Sequence, residues 1–88
     1  MQRRPKKSAA PKSVEELFGE VLREFRKRSG LTQEALAEGS GYHPTYIGQL
    51  ERGKKSPSLR TLISIARTMA VPASSLIVRL EEILKPSS

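Results

Sequence analysis

Pro44, Thr45, Gly48, Gln49 and Arg52 fall on one side of a helical stretch whose other side carries Ile47 and Leu50. The chemistry these types offer is recognition by hydrogen bonding. A helix with this outer face suits the major groove of duplex DNA, where each base pair presents a distinct donor and acceptor pattern. Gln49 is the strongest reader of the set, because its carboxamide can pair in two places with adenine. Thr45 can donate or accept a hydrogen bond, or lay its methyl against a thymine methyl. Gly48 weakens the helix but permits close approach, and Pro44 brings neither a backbone donor nor a polar side chain to the groove.

Around this face lie residues suited to phosphate, which position a protein on DNA without reading sequence. Gln33 and the free amides at the start of its helix form one group, favoured by the helix dipole. Arg52, Lys54, Lys55 and Arg60 form another, for which a solvated basic loop is the competing reading. His43 caps the following helix or touches phosphate. Tyr42 and Tyr46 pack the turn, with the Tyr46 hydroxyl a further phosphate candidate. Catalysis is a poor fit: the chain has one histidine, no cysteine and no aspartate, so neither a nucleophile cluster nor a zinc site can be assembled. No metal, cofactor or small-molecule ligand is expected.

The elements that must hold these residues run from Thr32 to Gly53, TQEALAEGSGYHPTYIGQLERG. Thr32 caps a helix that carries Leu36 and Ala37 on one face, and Gly39-Ser40-Gly41 ends it. Pro44 opens a second helix, which Gly53 stops. Counting Gln33 as one, Ala37 falls at five, Gly41 at nine, Ile47 at fifteen and Leu50 at eighteen, the spacing of a helix-turn-helix.

At these residues the chain resembles the xenobiotic-response-element, or Cro/repressor-type, helix-turn-helix family of bacteria and their phages. The likeness extends over about residues 17 to 77. Gly19-Glu20, Leu22-Arg23 and Arg26 look like the family's first helix and LTQEALA like its second. YIGQLERGKKSPS looks like its third helix and the loop after it, and TLISIARTMAVPASSLI like its fourth and the start of its fifth. The resemblance implies a compact all-α, five-helix domain of the lambda-repressor type and a partner for Arg26 at Glu51. It also implies a sequence-specific transcriptional regulator of repressor or controller type. Pro44 and Gly48 depart from the family, which commonly has serine at the latter position. The resemblance also admits an antitoxin with a toxin as protein partner, or a protein-binding module built on the same scaffold.

The remaining helices follow from apolar spacing. Ser13-Val14-Glu15-Glu16 is a capping box, after which Val14, Leu17, Phe18, Val21, Leu22 and Phe25 recur at helical intervals, with Gly19 marking a close backbone approach. Arg26, at the edge of that face, reads by itself as a snorkelling surface charge. Leu59, Leu62, Ile63, Ala66 and Met69 predict a fourth helix capped by Ser58, with Ile65 widening its apolar face. In a fifth, Leu76, Ile77, Leu80, Ile83 and Leu84 form a stripe with Val78 off it, and Pro86 ends it. The family resemblance implies that Leu76 and Ile77 join the core. Leu80, Ile83 and Leu84 either cover the first helix or close a symmetric homodimer, which two DNA half-sites would require.

The chain has 88 residues and a net charge of +7, unevenly placed. Residues 1–12 carry five basic side chains and no acid, whereas residues 13–88 carry eleven basic and nine acidic ones. The expected organisation is a disordered basic arm over 1–12, a helix-turn-helix domain over 13–85 and a tail over 86–88. The arm is either a solubilising tail or a polybasic segment that follows phosphates or enters a minor groove. No apolar run approaches the ~20 residues of a membrane span, and no signal peptide is evident. A bacterial cytoplasmic protein on the nucleoid, with double-stranded DNA as partner, is the expectation.

Overall fold

The computed structural model describes residues 11–85, which form five helices and no strand: α1 (Val14–Arg28), α2 (Gln33–Ser40), α3 (Pro44–Glu51), α4 (Leu59–Thr68) and α5 (Ala73–Leu84). Most of the predicted arm and the tail over 86–88 lie outside the described residues. Lys12 is described; its ammonium pairs with the Glu20 carboxylate on α1, which raises the lysine pKa through the hydrogen bond and the neighbouring charge.

Side-chain caps set four of the five helix starts. The Ser13 hydroxyl accepts from the Glu16 amide while the Glu16 carboxylate accepts from the Ser13 amide. Thr32 accepts from the Ala35 amide, His43 from that of Thr45, and Ser58 from that of Thr61. Pro72 precedes α5 without a side-chain cap. The turn between α2 and α3 rests on Gly41, whose φ of 83° places it where a Cβ would be strained. At the end of α4, by contrast, the left-handed position is filled by Ala70, at φ 60°.

The helices share one core, built from Phe18, Val21 and Leu22 of α1 against Leu36 and Ala37, Ile47 and Leu50, Ile65 and Ala66, and Leu76 and Leu80. Each large aliphatic chain fully buried there contributes ~1.5–3 kcal/mol. The closest backbone approach is between α1 and α3. A Cβ on Gly19 would lie 2.3 Å from the Glu51 carbonyl oxygen and 2.6 Å from that of Leu50, so no side chain fits between the two helices.

Two faces differ in part from expectation. In α4 the buried residues are Thr61, Leu62 in part, Ile65, Ala66 and Met69, while Leu59 is 73% and Ile63 39% exposed. At about 100° per residue the buried set spans about 140°, and Leu59 and Ile63 fall beyond its edge at about 160° and 200°. The face is centred nearer Ile65 because the polar Thr61 can enter the core: its hydroxyl meets those of Tyr42 at 2.8 Å and Ser58 at 3.0 Å. In α5, Leu80 belongs to the core at 8% exposure, whereas Ile77 is 38% exposed and turns outward. Leu80 follows Leu76 by one helical turn and shares its inward direction, while Ile77 lies about 100° around the helix. Ile83 and Leu84, in the last turn, are exposed, as is Val78.

Candidate nucleic-acid interface

The seat of α3 is its C-terminal end. Arg26 of α1 is buried and donates from Nε to Glu51 Oε2 at 2.5 Å, from Nη2 to Glu51 Oε1 at 3.1 Å and from Nη1 to the Leu31 carbonyl at 2.9 Å. The hydrogen bond that Arg26 donates to Glu51 raises the Arg26 pKa against the opposing effect of burial. Glu51 Oε1 also accepts from Gln33 Nε2 at 2.9 Å, so one carboxylate joins α1, α2 and α3. At its start, α3 is capped by His43, whose Nδ1 accepts from the Thr45 amide at 3.1 Å and leaves Nε2 as the ring's donor.

Held in this way, α3 presents Thr45 exposed, with Pro44 and Gln49 half-buried beside it. Gly48 does not share that surface. It is buried, and a Cβ there would sit 3.1 Å from Arg52 Nη1 and 3.7 Å from Gln33 Oε1. The Arg52 side chain folds back one turn over the glycine, so the missing side chain makes room for this chain's own guanidinium. Gln33, engaged by Glu51, acts first as a bridge between helices. The Thr32 cap and carbonyl take the Ala35 and Leu36 amides, leaving those of Gln33 and Glu34 as the outward donors of the α2 first turn.

The flanking cations divide into two places. Lys54 and Lys55 are exposed in the turn after α3, where the Lys54 amide donates to the Gln49 carbonyl at 2.9 Å. That turn is pressed against α1: a Cβ on Gly53 would lie 2.6 Å from Glu16 Cα. Arg60 instead lines a cleft between α2 and α4. Tyr46 packs its ring 5.2 Å from that of Tyr42, whose hydroxyl is occupied by Thr61, so both tyrosines serve the turn. Of the predicted residues, Arg26, Gln33, Gly48, Glu51 and Arg52 form one cluster, and Thr45 and Gln49 stand on the outer face above it. The bridging role of Gln33 has no local signature, since its partner lies eighteen residues away. Among the described residues no group of His, Cys, Asp or Glu could hold a metal ion, and no single helix is long and apolar enough to cross a membrane.

Residues 22–76 match the family described as Helix-turn-helix, with α2 and α3 lying inside the matched span. The chain is similar to the control protein C.SmaI of Serratia marcescens, 39% identical over 66 residues that cover 75% of this chain and 79% of that one. Among solved structures it is similar to the clp gene regulator ClgR of C. glutamicum, with a TM-score of 0.80 and 28% identity over 88% of this chain and all of that one. It is also similar to the restriction-modification controller protein C.AhdI of Aeromonas hydrophila, with a TM-score of 0.68 and 38% identity over 69% of this chain and 92% of that one. The spacing around the Gly41 turn, the five-helix architecture and a family match over more than half the chain agree, and the chain belongs to the xenobiotic-response-element, or Cro/repressor-type, helix-turn-helix family.

Proposed function

We propose that this protein is a sequence-specific double-stranded DNA-binding regulator of transcription that occupies its operator as a symmetric homodimer. The observation that carries the reading is the clamped α3, which sets Thr45 and Gln49 outward while Arg52, Lys54 and Lys55 flank them. Gln49 and Thr45 read base edges, with Pro44 in contact only; the α2 first-turn amides, His43 Nε2 and the flanking cations meet phosphates. Two of the similar proteins are named as control or controller proteins, which favours a controller of a restriction-modification system over an antitoxin. Such a protein works in the bacterial cytoplasm, on the nucleoid.

The dimer surface is the outward side of α5, with Ile77, Val78, Ile83 and Leu84 exposed and Val14 of α1 exposed as well. Leu80, being core, supports this surface from beneath. Two copies related by a twofold axis would present their α3 helices to half-sites about 34–36 Å apart. Binding-site selection from random duplex DNA tests the reading. A twofold-symmetric consensus is expected, and recovery of no sequence preference would sink it.

A further inference from the structure

We infer that the cleft between α2 and α4 is a docking site for an acidic amphipathic helix of another protein, because it joins two outward apolar side chains to two arginines without ion-pair partners among the described residues. The cleft has a volume of about 580 Å³. Leu59 and Ile63 stand one turn apart on its α4 wall, at 73% and 39% exposure. Arg60 and Arg67, both exposed, lie along one side of them, between the apolar pair and the Ser64 and Thr68 positions of the helix.

The floor is already satisfied. The Ser64 hydroxyl donates to the Ser40 carbonyl at 3.0 Å and the Thr68 hydroxyl to the Ser64 carbonyl at 3.1 Å, so neither requires a polar ligand. On the α2 side Gly39 contributes no side chain; a Cβ there would lie 2.5 Å from Thr68 Cγ2, so the glycine lets α2 pack closely on Thr68 at this end of the cleft. Apolar anchors at i and i+4 with two cations along one side match a helix whose own apolar stripe is bordered on one side by carboxylates.

Other occupants fit poorly. The N-terminal segment of this chain carries five basic side chains and no acid, and would meet Arg60 and Arg67 with like charge. A second copy packed symmetrically on this face would oppose arginines to arginines. A lipid surface calls for a broad apolar face, and here two side chains lie in a concavity. None of the cleft's lining residues belongs to α3, so occupation leaves the proposed reading helix untouched. The inference moves Arg60 out of the phosphate set and does not depend on the DNA reading.

The test uses the full chain, without DNA, titrated with a short helical peptide bearing leucines at i, i+4 and i+7 flanked by glutamates. Amide shifts should move at Gly39 and along residues 59–68, with a dissociation constant on the order of 100 μM or tighter. Arg60→Glu and Arg67→Glu should each weaken binding about tenfold or more while the helical signal is unchanged, since both side chains are exposed. A peptide with lysines for the glutamates should not bind. The inference is overturned if the acidic peptide fails to bind at millimolar concentration, if its shifts map to α5, or if the arginine variants bind it as the wild type does. It is overturned equally if Arg60→Ala and Arg67→Ala lower the salt slope of duplex binding, or abolish adsorption to anionic phospholipid vesicles, since the arginines then serve phosphates.

Discussion

Glu51→Ala isolates the contact on which the position of α3 depends. The carboxylate is 4% exposed and faces a guanidinium that is 10% exposed, so neither charge is compensated by bulk water. Removal of the carboxylate strips two hydrogen bonds from Arg26 and one from Gln33, leaving the guanidinium with only the Leu31 carbonyl. An uncompensated buried charge of this kind costs ~3–5 kcal/mol, a large part of the ~5–15 kcal/mol that holds a small domain together. For a domain of this size the melting temperature should fall by more than about 10 °C. Urea denaturation followed by circular dichroism measures the loss directly. Arg26→Met combined with Glu51→Leu should recover most of it, since a matched apolar pair removes the desolvation penalty with the bridge. The raised Arg26 pKa has a defined sign: its contribution is complete below the ordinary arginine range and is lost only as pH rises through the raised value. The gap between wild type and Glu51→Gln should therefore stay constant from about pH 7 to about pH 10. A loss below about 1 kcal/mol in Glu51→Ala, or a double variant no more stable than the single one, would refute the reasoning.

Four further outcomes follow from the geometry. Gln49→Ala should cost ~1–3 kcal/mol on the selected operator and relax one base pair per half-site, whereas Lys55→Ala should weaken all duplexes alike; equal loss on every sequence for Gln49→Ala would remove it as a reader. Gly19→Ala must push α3 away from α1, because its Cβ would sit 2.3 Å from a carbonyl oxygen, and a destabilisation of ~1–3 kcal/mol or more is expected in the same urea assay. Ile83→Glu should give a folded monomer by sedimentation, while Leu80→Glu should unfold the domain, since Leu80 is core; a folded Leu80→Glu protein would contradict that placement. Deletion of residues 1–11 should lower the salt slope of DNA binding by up to about 3–4, at ~0.9 per phosphate met by Arg3, Arg4, Lys6 and Lys7, because Lys12 is already paired with Glu20; an unchanged slope makes the segment passive.

The parts of the fold legible in the sequence were those governed by near neighbours. Ser13, Thr32 and Ser58 announce their helices because a cap acts within three residues, and the Gly41 turn because one backbone angle demands it. Gly19 could be recognised as a close approach, though not what it approaches. The α4 face was mis-centred because apolar spacing discards Thr61, whose burial depends on a tyrosine hydroxyl nineteen residues away. The burial of Gly48 is illegible for a similar reason: helical geometry places it on the outer side, and only the folded-back Arg52 and the crossing Gln33 cover it. On α5, Leu80 shares the direction of Leu76 one turn earlier while Ile77 lies about 100° away, a distinction lost when all are counted as one stripe. Arg26 and Glu51, twenty-five residues apart, came within reach only through family resemblance.

The three-sided grip on α3 has a consequence for how adaptation is shared on binding. Backbone contact at Gly19, the Arg26–Glu51–Gln33 junction and the Gly53 turn against Glu16 would all have to shift for the helix to tilt or re-aim. On the proposed function the protein is then the stiff partner and the duplex supplies the compliance. Operators that differ only between the half-sites, at base pairs no side chain touches, should be ranked by how readily they bend or narrow. Calorimetry on such a set should show heat-capacity changes that stay nearly constant while affinity varies, the signature of docking without coupled folding.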